Sequence, residues 1–173
     1  SLGFAFISLA GGYYLAKFGI NNIIYLVAAL VFLTLCISLF VKDIPSTSKP
    51  VTILSAVKLT SNRNLIFFLL ILIFVSVTHR TNDSYLGIYI TALGGDESLI
   101  GWAWFIGVIS EAVVFFTTAY WFKKFQPVTF IIVAAFLYGL RWFLMGMATG
   151  PAMILLLQAF HGVTFAVFYT AAF

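Results

Sequence analysis

The sequence predicts an all-α integral membrane protein with about six transmembrane helices. Of its 173 residues, 63% are hydrophobic and only 8% are charged, and the mean hydropathy is +1.13. These values lie far outside the range of a soluble domain. The apolar runs are also continuous, whereas the strands of a membrane barrel alternate apolar and polar residues. Helices remain as the structure that satisfies backbone groups within such runs.

Six apolar runs approach or exceed the length of about 20 residues that crosses a hydrocarbon core. They cover residues 2–16, 20–41, 65–92, 99–122, 128–148 and 152–173. Short turns rich in glycine, proline and charge separate most of them: "KFGINN", "GGDES", "KKFQP" and "TGP". The first run is short and the last has no polar exit, so we expect both ends to continue in a longer chain. No secretory signal peptide is recognisable at the start.

The polar stretch 42–64 is the predicted boundary between two helical bundles. It separates two spans, in residues 1–41, from four spans, in residues 65–173. It holds two prolines and several serines and threonines, as interbundle loops often do. The single cysteine, Cys36, falls inside a span, where we interpret it as a small packing residue.

Basic residues predict which loops face the cytoplasm, because short loops rich in lysine and arginine stay on that side. Six of them fall in loop 42–64 or in the turn after the fourth span: Lys42, Lys49, Lys58, Arg63, Lys123 and Lys124. The opposite side has only Lys17. Loop 42–64 and turn 123–127 are therefore predicted to be cytoplasmic. The net charge of +4 reflects this topology and gives no reason to expect a nucleic-acid partner.

Four spans each place an ionisable residue near the middle of the bilayer. Counted at about 1.5 Å per residue, these residues lie within about 5 Å of their span midpoints: His79, Glu111, Arg141 and His161. A charge at that depth costs at least about 2.5 kcal/mol, so lipid exposure is disfavoured and the four side chains are predicted to face a shared interior. Intramembrane ionisable residues are functional by default.

The third span carries a polar face in the stretch "THRTNDSY". On a helical wheel, one arc of about 100° contains Ser76, His79, Arg80 and Asp83, with Asn82 at its border. Structural interpretations stay open beside functional ones. Arg80 and Asp83 are spaced to form an i, i+3 ion pair. Glu111 and Arg141 can be a packing pair, and His161 can be a satisfied interior histidine.

The sequence contains none of the short motifs of soluble enzyme sites. It has no CxxC pair, no HExxH, no GxSxG and no glycine loop for phosphate. We therefore expect no enzyme activity, no metal and no cofactor. An intramembrane hydrolase that uses Glu111, His79 or His161 as acid and base is a weak alternative, because no nucleophile or metal set accompanies them.

Several segments resemble the major facilitator superfamily. "SLGFAFISLAGGYYLAKFGINNIIYLVAAL" resembles its fifth and sixth helices, and "YLGIYITALGGDESLIGWAWFIGVISEAVVFF" resembles the seventh and eighth. "SEAVVFF", "LYGLRWFLMG" and "LLLQAFHGVTFAVFY" are similar to the branch with lactose permease, nucleoside:proton symporters and 3-phenylpropionate-type transporters. The resemblance implies helices five to ten of a twelve-helix fold, with 42–64 as its central loop. It also implies a multi-pass protein of the bacterial cytoplasmic membrane.

The resemblance extends to single positions. Glu111 matches the eighth-helix glutamate that contacts sugar and takes part in coupling in lactose permease, and Arg141 and His161 match its ninth-helix arginine and tenth-helix histidine. Three positions depart from that pattern: Gln158 stands for an expected lysine, Thr164 for a carboxylate and Val114 for an asparagine. In the seventh helix, aspartates of the permease fall near His79 and Asn82, so Asp83 is a candidate substitute.

The resemblance and the buried charges together predict proton-coupled symport of a small polar or aromatic solute, such as a sugar, nucleoside or organic acid, by alternating access. The expected coupling residues are Glu111, Arg141 and His161. The expected cavity residues are His79, Asn82, Asp83, Glu111, Trp142, Gln158 and Thr164. The expected partners are the solute, protons, the lipid bilayer and the remaining helices of the parent chain, with a proton gradient as driving force. Two alternatives stay open: a facilitative carrier or antiporter without proton coupling, and a non-transporting membrane receptor or scaffold.

Overall fold

The computed structural model describes residues 2–42 and 61–172, and every regular element in these ranges is a helix. The α-helices are α1 (Leu2–Phe18), α2 (Ile23–Ser38), α3 (Arg63–Ala92), α4 (Glu97–Trp121), α5 (Pro127–Gly146), α6 (Pro151–Gln158) and α7 (Phe160–Ala172). Short 3-10 turns at Ile20–Asn22 and Phe122–Lys124 precede α2 and follow α4. The structure confirms the predicted all-α class.

Five helical segments of the described chain are long and apolar enough to cross a membrane. They are Ile20–Ser38, Arg63–Ala92, Glu97–Lys124, Pro127–Gly146 and Pro151–Ala172. The helix Leu2–Phe18 is apolar but shorter, at 17 residues. The predicted spans agree with these helices to within a few residues at each end. Most of the predicted boundary loop, residues 43–60, lies outside the described residues, so the division into bundles stays a prediction.

Local sequence explains where several helices begin. The Asp96 side chain caps α4 by accepting hydrogen bonds from the Leu99 backbone N–H at 3.0 Å and the Ser98 hydroxyl at 2.7 Å. These two donors, the Ser98 hydroxyl first, hold the pKa of Asp96 below its usual value. Helices α5 and α6 begin at Pro127 and Pro151. Proline suits the first helical position because its missing N–H has no intrahelical partner there.

One compact unit consists of the described residues of Ser1–Asn22 and Arg80–Phe173. Within it, α4 packs along α1 on one side and along α7 on another, and α7 packs against α5. An apolar cluster joins α3, α4, α5 and α6 through Leu86, Ile90, Ala103, Met145, Ile154 and Leu157. The hydroxyl of Tyr89 on α3 donates to the Met145 carbonyl of α5 at 2.7 Å. These contacts fix the helices that carry the polar residues described below.

Helices α1 and α4 approach each other closely at two glycines. A Cβ atom placed on Gly12 would lie 2.7 Å from the Glu97 carbonyl oxygen and 3.0 Å from the Gly101 Cα. One on Gly101 would lie 2.6 Å from the Ser8 carbonyl oxygen. Because these are backbone atoms of the facing helix, only glycine permits this packing. The hydroxyl of Tyr13 accepts from the Trp102 indole at 2.8 Å beside this contact.

The second compact unit is Ile23–His79, of which residues 23–42 and 61–79 are described. It contains α2 and the first part of α3. Helix α2 has no buried side chain in the described structure, although it is the most hydropathic of the candidate spans. On α3, Val75 and His79 are buried, with 8% and 7% of their surface exposed.

Candidate functional site

Four buried polar side chains form one hydrogen-bonded chain in the first unit. The Nε2 atom of His161 lies 2.8 Å from the Oε1 atom of Glu111. The Nδ1 atom of the same imidazole lies 3.0 Å from Nη1 of Arg141. Nη2 of Arg141 donates to Oε1 of Gln158 at 2.5 Å. None of the four residues is more than 6% exposed, so we call Glu111, His161, Arg141 and Gln158 the polar chain.

The hydrogen bonds assign the proton on His161. A guanidinium has donors and no acceptor, so the Nδ1 atom that faces Arg141 must accept. The imidazole then carries its hydrogen on Nε2, which faces the Glu111 carboxylate and donates to it. His161 is therefore a neutral bridge between a guanidinium and a carboxylate. The charges of Arg141 and Glu111 are connected through this imidazole, which refines the predicted Glu111–Arg141 pair.

Three separate parts of the backbone position the polar chain. Glu111 lies on α4 and Arg141 on α5, while Gln158 ends α6 and His161 is the second residue of α7. The predicted last span, Pro151–Ala172, is one helical segment with a tightened turn at Ala159, where α6 meets α7. Close to this turn, the Gly162 N–H donates to the Ser110 hydroxyl of α4 at 2.7 Å. Gln158 and His161 are three residues apart, so they share a helix face, and both contact Arg141.

The guanidinium of Arg141 lies against an aromatic ring. Its Cζ atom lies 4.7 Å from the centroid of the Trp142 ring, within range of a cation–π contact. The Tyr138 ring lies 6.0 Å from that of Trp142 and is 3% exposed. Trp142 therefore contacts the charged centre of the site, and its place in a substrate cavity stays a prediction.

Thr164 is fully buried one turn after His161, but its hydroxyl is already engaged. It donates within α7, to the backbone carbonyls of Phe160 and His161, both at 3.1 Å. A carboxylate at this position would have supplied a second titratable group beside Glu111. The threonine supplies none, so Glu111 is the one carboxylate of the polar chain.

The predicted polar face of α3 is only partly buried. Asn82 is 8% exposed, and Asp83 is half-buried. The Arg80 side chain is 83% exposed. Its Nη1 atom lies 3.6 Å from Oδ2 of Asp83, in the i, i+3 ion pair that the spacing allowed. Asp83 also interacts electrostatically with Arg141. His79 is buried in the second unit.

Two residues of the site went unnoticed in the sequence. Ser110, next to Glu111, bonds the helix junction at Gly162. Tyr138 lies one turn before Arg141 on the same buried face of α5. The spacing of three residues between Tyr138 and Arg141 is a usable signal, because such residues share a helix face. Nothing in the sequence near Ser110 indicates a partner 52 positions away. In the described ranges, no group of three His, Cys, Asp or Glu side chains is placed to hold a metal ion.

Comparison with known proteins assigns this arrangement of apolar helices around buried charges to a family. Residues 1–173 match the MFS_1 like family along their whole length. The chain belongs to the MFS_1 like family. This confirms the predicted major facilitator superfamily and places the chain among transporters rather than enzymes.

A relative of this MFS_1 like chain gives a narrower comparison. The probable 3-phenylpropionic acid transporter of Escherichia coli (strain K12) is 28% identical to it over 94 residues. Those residues are 54% of this chain and 25% of the relative, so the match spans about a quarter of the relative's length. No solved structure matches the chain.

Proposed function

We propose that the parent protein is a secondary transporter that moves a small organic solute together with protons by alternating access. Glu111 is the proton-binding group of this proposal, and Arg141 and His161 are its partners. The observation that carries the proposal is the polar chain itself, in which a buried carboxylate accepts from a neutral imidazole that a guanidinium holds in place.

Protonation of Glu111 changes the electrostatics of the buried site. As a carboxylate, Glu111 balances the positive charge of Arg141 through the His161 bridge. A proton on Glu111 removes the negative charge and leaves the guanidinium without its counterion in a low-dielectric region. The unpaired positive charge of Arg141 is costly in this region, so the protein is driven towards another arrangement of helices or towards binding an anion. Rocking of one bundle against the other then exposes the site to the second side of the membrane.

The substrate in the relative's name supports an aromatic organic acid as the first solute to test. Its name describes a transporter of 3-phenylpropionic acid, whose phenyl ring and carboxyl group match an aromatic and a cationic partner. Trp142 and Arg141 provide these two partners side by side. Sugars and nucleosides remain in the test panel as solutes of related branches of the superfamily.

The test uses the full-length parent protein reconstituted in vesicles with a weakly buffered exterior. We expect 3-phenylpropionate, or another panel member, to cause alkalinisation of the medium as protons enter with the solute. Glu111→Gln abolishes this signal because the amide binds no proton in this range. Glu97→Gln, in the first turn of the same helix and outside the polar chain, is the matched control and keeps it.

Other outcomes select a different function. A carrier without proton coupling is the second candidate, and Thr164 favours it because a threonine at this position adds no titratable group to the polar chain. Uptake by the wild type without any pH change would establish that carrier and reject coupling. If thermal unfolding shows that the protein is folded and no solute in the panel is taken up, the result would instead favour a receptor or scaffold.

A further inference from the structure

We propose that Arg141 and Gln158 bind the carboxylate of an organic acid, and that this anion replaces the charge that Glu111 loses when it takes up a proton. The inference rests on the proposed function and names the solute group that the site selects. Its consequence is that each transport cycle moves one anion and one proton, with no net charge.

The first argument is a set of buried donors that lack acceptors. Nε of Arg141 and Nε2 of Gln158 are fully buried and have no hydrogen-bond partner among the described residues. Both residues are 2% exposed. The other guanidinium nitrogens are occupied, since Nη1 faces His161 and Nη2 faces Gln158. Buried polar groups without a partner are rare, and each calls for a ligand or another explanation.

The orientation of the Gln158 amide is fixed by its neighbour. Its carbonyl oxygen accepts from Nη2 of Arg141, whereas the flipped amide would set two donors against each other. The amide nitrogen therefore points away from that bond and offers hydrogens to another group. One hydrogen bond joins the two side chains, so both unused donors belong to the same bonded pair.

A ligand that fits these donors must accept hydrogen bonds. The indole Nε1 of Trp142 is a third buried donor for which the described chain supplies no acceptor. A guanidinium N–H, an amide NH₂ and an indole N–H donate only, so the matching group carries lone pairs and no hydrogens. A carboxylate has two such oxygens and forms strong, charge-assisted bonds with a guanidinium. A hydroxyl-rich solute needs acceptors as well as donors, which these three atoms do not offer.

The surroundings of Arg141 indicate an apolar body on the acid. A small cavity between α5 and the α6–α7 region reaches Arg141, and its other lining residues are apolar: Leu137, Leu140, Leu144, Leu157 and Phe160. The Trp142 ring covers the guanidinium at 4.7 Å. Such walls favour a hydrocarbon or aromatic group attached to the carboxylate over a polar one.

The second argument is the charge balance of the site. When the site is empty, the polar chain contains one guanidinium, one carboxylate and a neutral imidazole, with a total charge of zero. Protonated Glu111 together with a bound carboxylate again gives zero. A neutral solute that enters with the same proton gives +1 instead. The membrane potential acts on net charge, at about 2.3 kcal/mol per elementary charge per 100 mV. It therefore drives uptake of a neutral solute with a proton but not uptake of an anion with a proton.

Neighbouring charges leave this balance unchanged. On the elements packed around Glu111, the titratable groups are Arg141 and Tyr138 of α5, His161 and Tyr169 of α7, and Asp83 of α3, which acts on Arg141. Asp83 is paired with Arg80 at 3.6 Å and adds no net charge. Helix α1 has Lys17 as its charged side chain, which is exposed in its last turn.

The experiment measures uptake of labelled 3-phenylpropionate by the reconstituted full-length protein under two separate gradients. A pH gradient, acidic outside, is applied with the potential clamped at zero by valinomycin and equal potassium. A negative-inside potassium diffusion potential is then applied at equal pH, with protein-free vesicles as the blank for passive entry. We expect the pH gradient to drive accumulation and the potential to change the initial rate less than about twofold.

Gln158→Glu tests the binding role directly. Glutamate keeps an oxygen for Nη2 of Arg141 but replaces the donating NH₂ by a negative charge that repels a carboxylate. We expect KM for 3-phenylpropionate to rise by about tenfold or more. Gln126→Glu, on the exposed residue before α5, makes the same charge change outside the site and leaves KM unchanged.

A binding measurement on the wild-type protein tests the carboxylate site even if Gln158→Glu fails to fold. The acid raises the Tm of the wild-type protein more than 3-phenylpropionamide does, because the amide lacks the anion. Equal Tm shifts, an unchanged KM in a folded Gln158→Glu variant, or uptake driven by the potential would each overturn the carboxylate site. Proton-coupled uptake of a neutral solute would overturn it too, while the proposed function would stand. Loss of all pH-linked uptake would reject the proposed function itself.

Discussion

His161 connects the buried carboxylate to the buried guanidinium, and its assigned tautomer leads to a test. If the imidazole stays neutral and only donates to Glu111, an amide at the same place performs the same task. We expect His161→Gln to keep solute-linked pH changes within about tenfold of the wild-type rate. His161→Leu removes the donor and abolishes them. The measurement is the initial rate of pH change from about pH 5.5 to about pH 8.5, the range in which histidine titrates.

The two variants distinguish a bridge from a proton carrier. If His161 itself takes up the transported proton, Gln and Leu are equally inactive, since neither titrates. A glutamine variant that is active but has a shifted pH profile would also contradict a purely neutral bridge. Tm values of the purified variants show whether each protein is folded.

Sequence reasoning predicted the depth of the site but not its order of contacts. Counting residues from each span midpoint put His79, Glu111, Arg141 and His161 in one layer, because a helix advances by a fixed rise; the last three of them are in contact in the structure. The sequence of bonds from Glu111 to His161 to Arg141 depends on side-chain rotamers on three helices. Those are set by tertiary packing, which no local pattern encodes. The donors of Gln158 and Arg141 that lack an acceptor could be identified only once these hydrogen bonds were known.

The junction between α6 and α7 is the element on which the site depends. A Cβ atom on Gly162 would overlap the Ser110 carbonyl group and lie 2.5 Å from the Glu111 backbone nitrogen. These are backbone atoms of α4, so they cannot move aside as a flexible side chain would. We expect Gly162→Ala to destabilise the protein by about 1–3 kcal/mol, the usual cost of overpacking. The measurement is thermal unfolding of the detergent-purified parent protein.

A second glycine provides the control for this prediction. A Cβ atom on Gly139, within α5, would meet nothing within 4 Å. Gly139→Ala therefore leaves Tm unchanged or raises it, because alanine favours helix by up to about 1 kcal/mol. If Gly162→Ala unfolds at the same temperature as Gly139→Ala, α4 and α7 are not packed backbone to backbone.

The same junction shows what helix prediction from sequence can and cannot reach. Apolar length and turn residues gave the spans to within a few residues, and Asp96 and Pro127 mark helix starts that simple rules recognise. The tightened turn at Ala159 has no such mark, since apolar residues continue through it. It coincides with a bond from Gly162 to Ser110, a partner distant in sequence. On α3, the wheel placed His79 and Arg80 on one polar face; in the described structure His79 is buried, whereas Arg80 is exposed and pairs with Asp83.

At the scale of the whole molecule, the orientation in the membrane stays a prediction that labelling can test. Six basic residues fall on the side of loop 42–64 and turn 123–127, against Lys17 on the other. Such a difference directs basic loops to the cytoplasm. In a parent protein from which Cys36 and any cysteine outside these residues have been removed, single cysteines at Ala92, which ends α3, and at Gln126, before α5, lie at opposite ends of α4 and are both exposed.

An impermeant maleimide reads the orientation from these two positions. We expect it to label Ala92→Cys in right-side-out vesicles and Gln126→Cys in inverted ones, because the charges of Lys123 and Lys124 hold the second turn inside. The reverse pattern would place loop 42–64 outside and contradict the topology inferred from charge. The labelling result therefore decides which end of α4 faces the external medium, from which the proposed cycle takes up its proton and its solute. The proposed coupling at Glu111 is independent of that result, because alternating access exposes the same site to each side in turn.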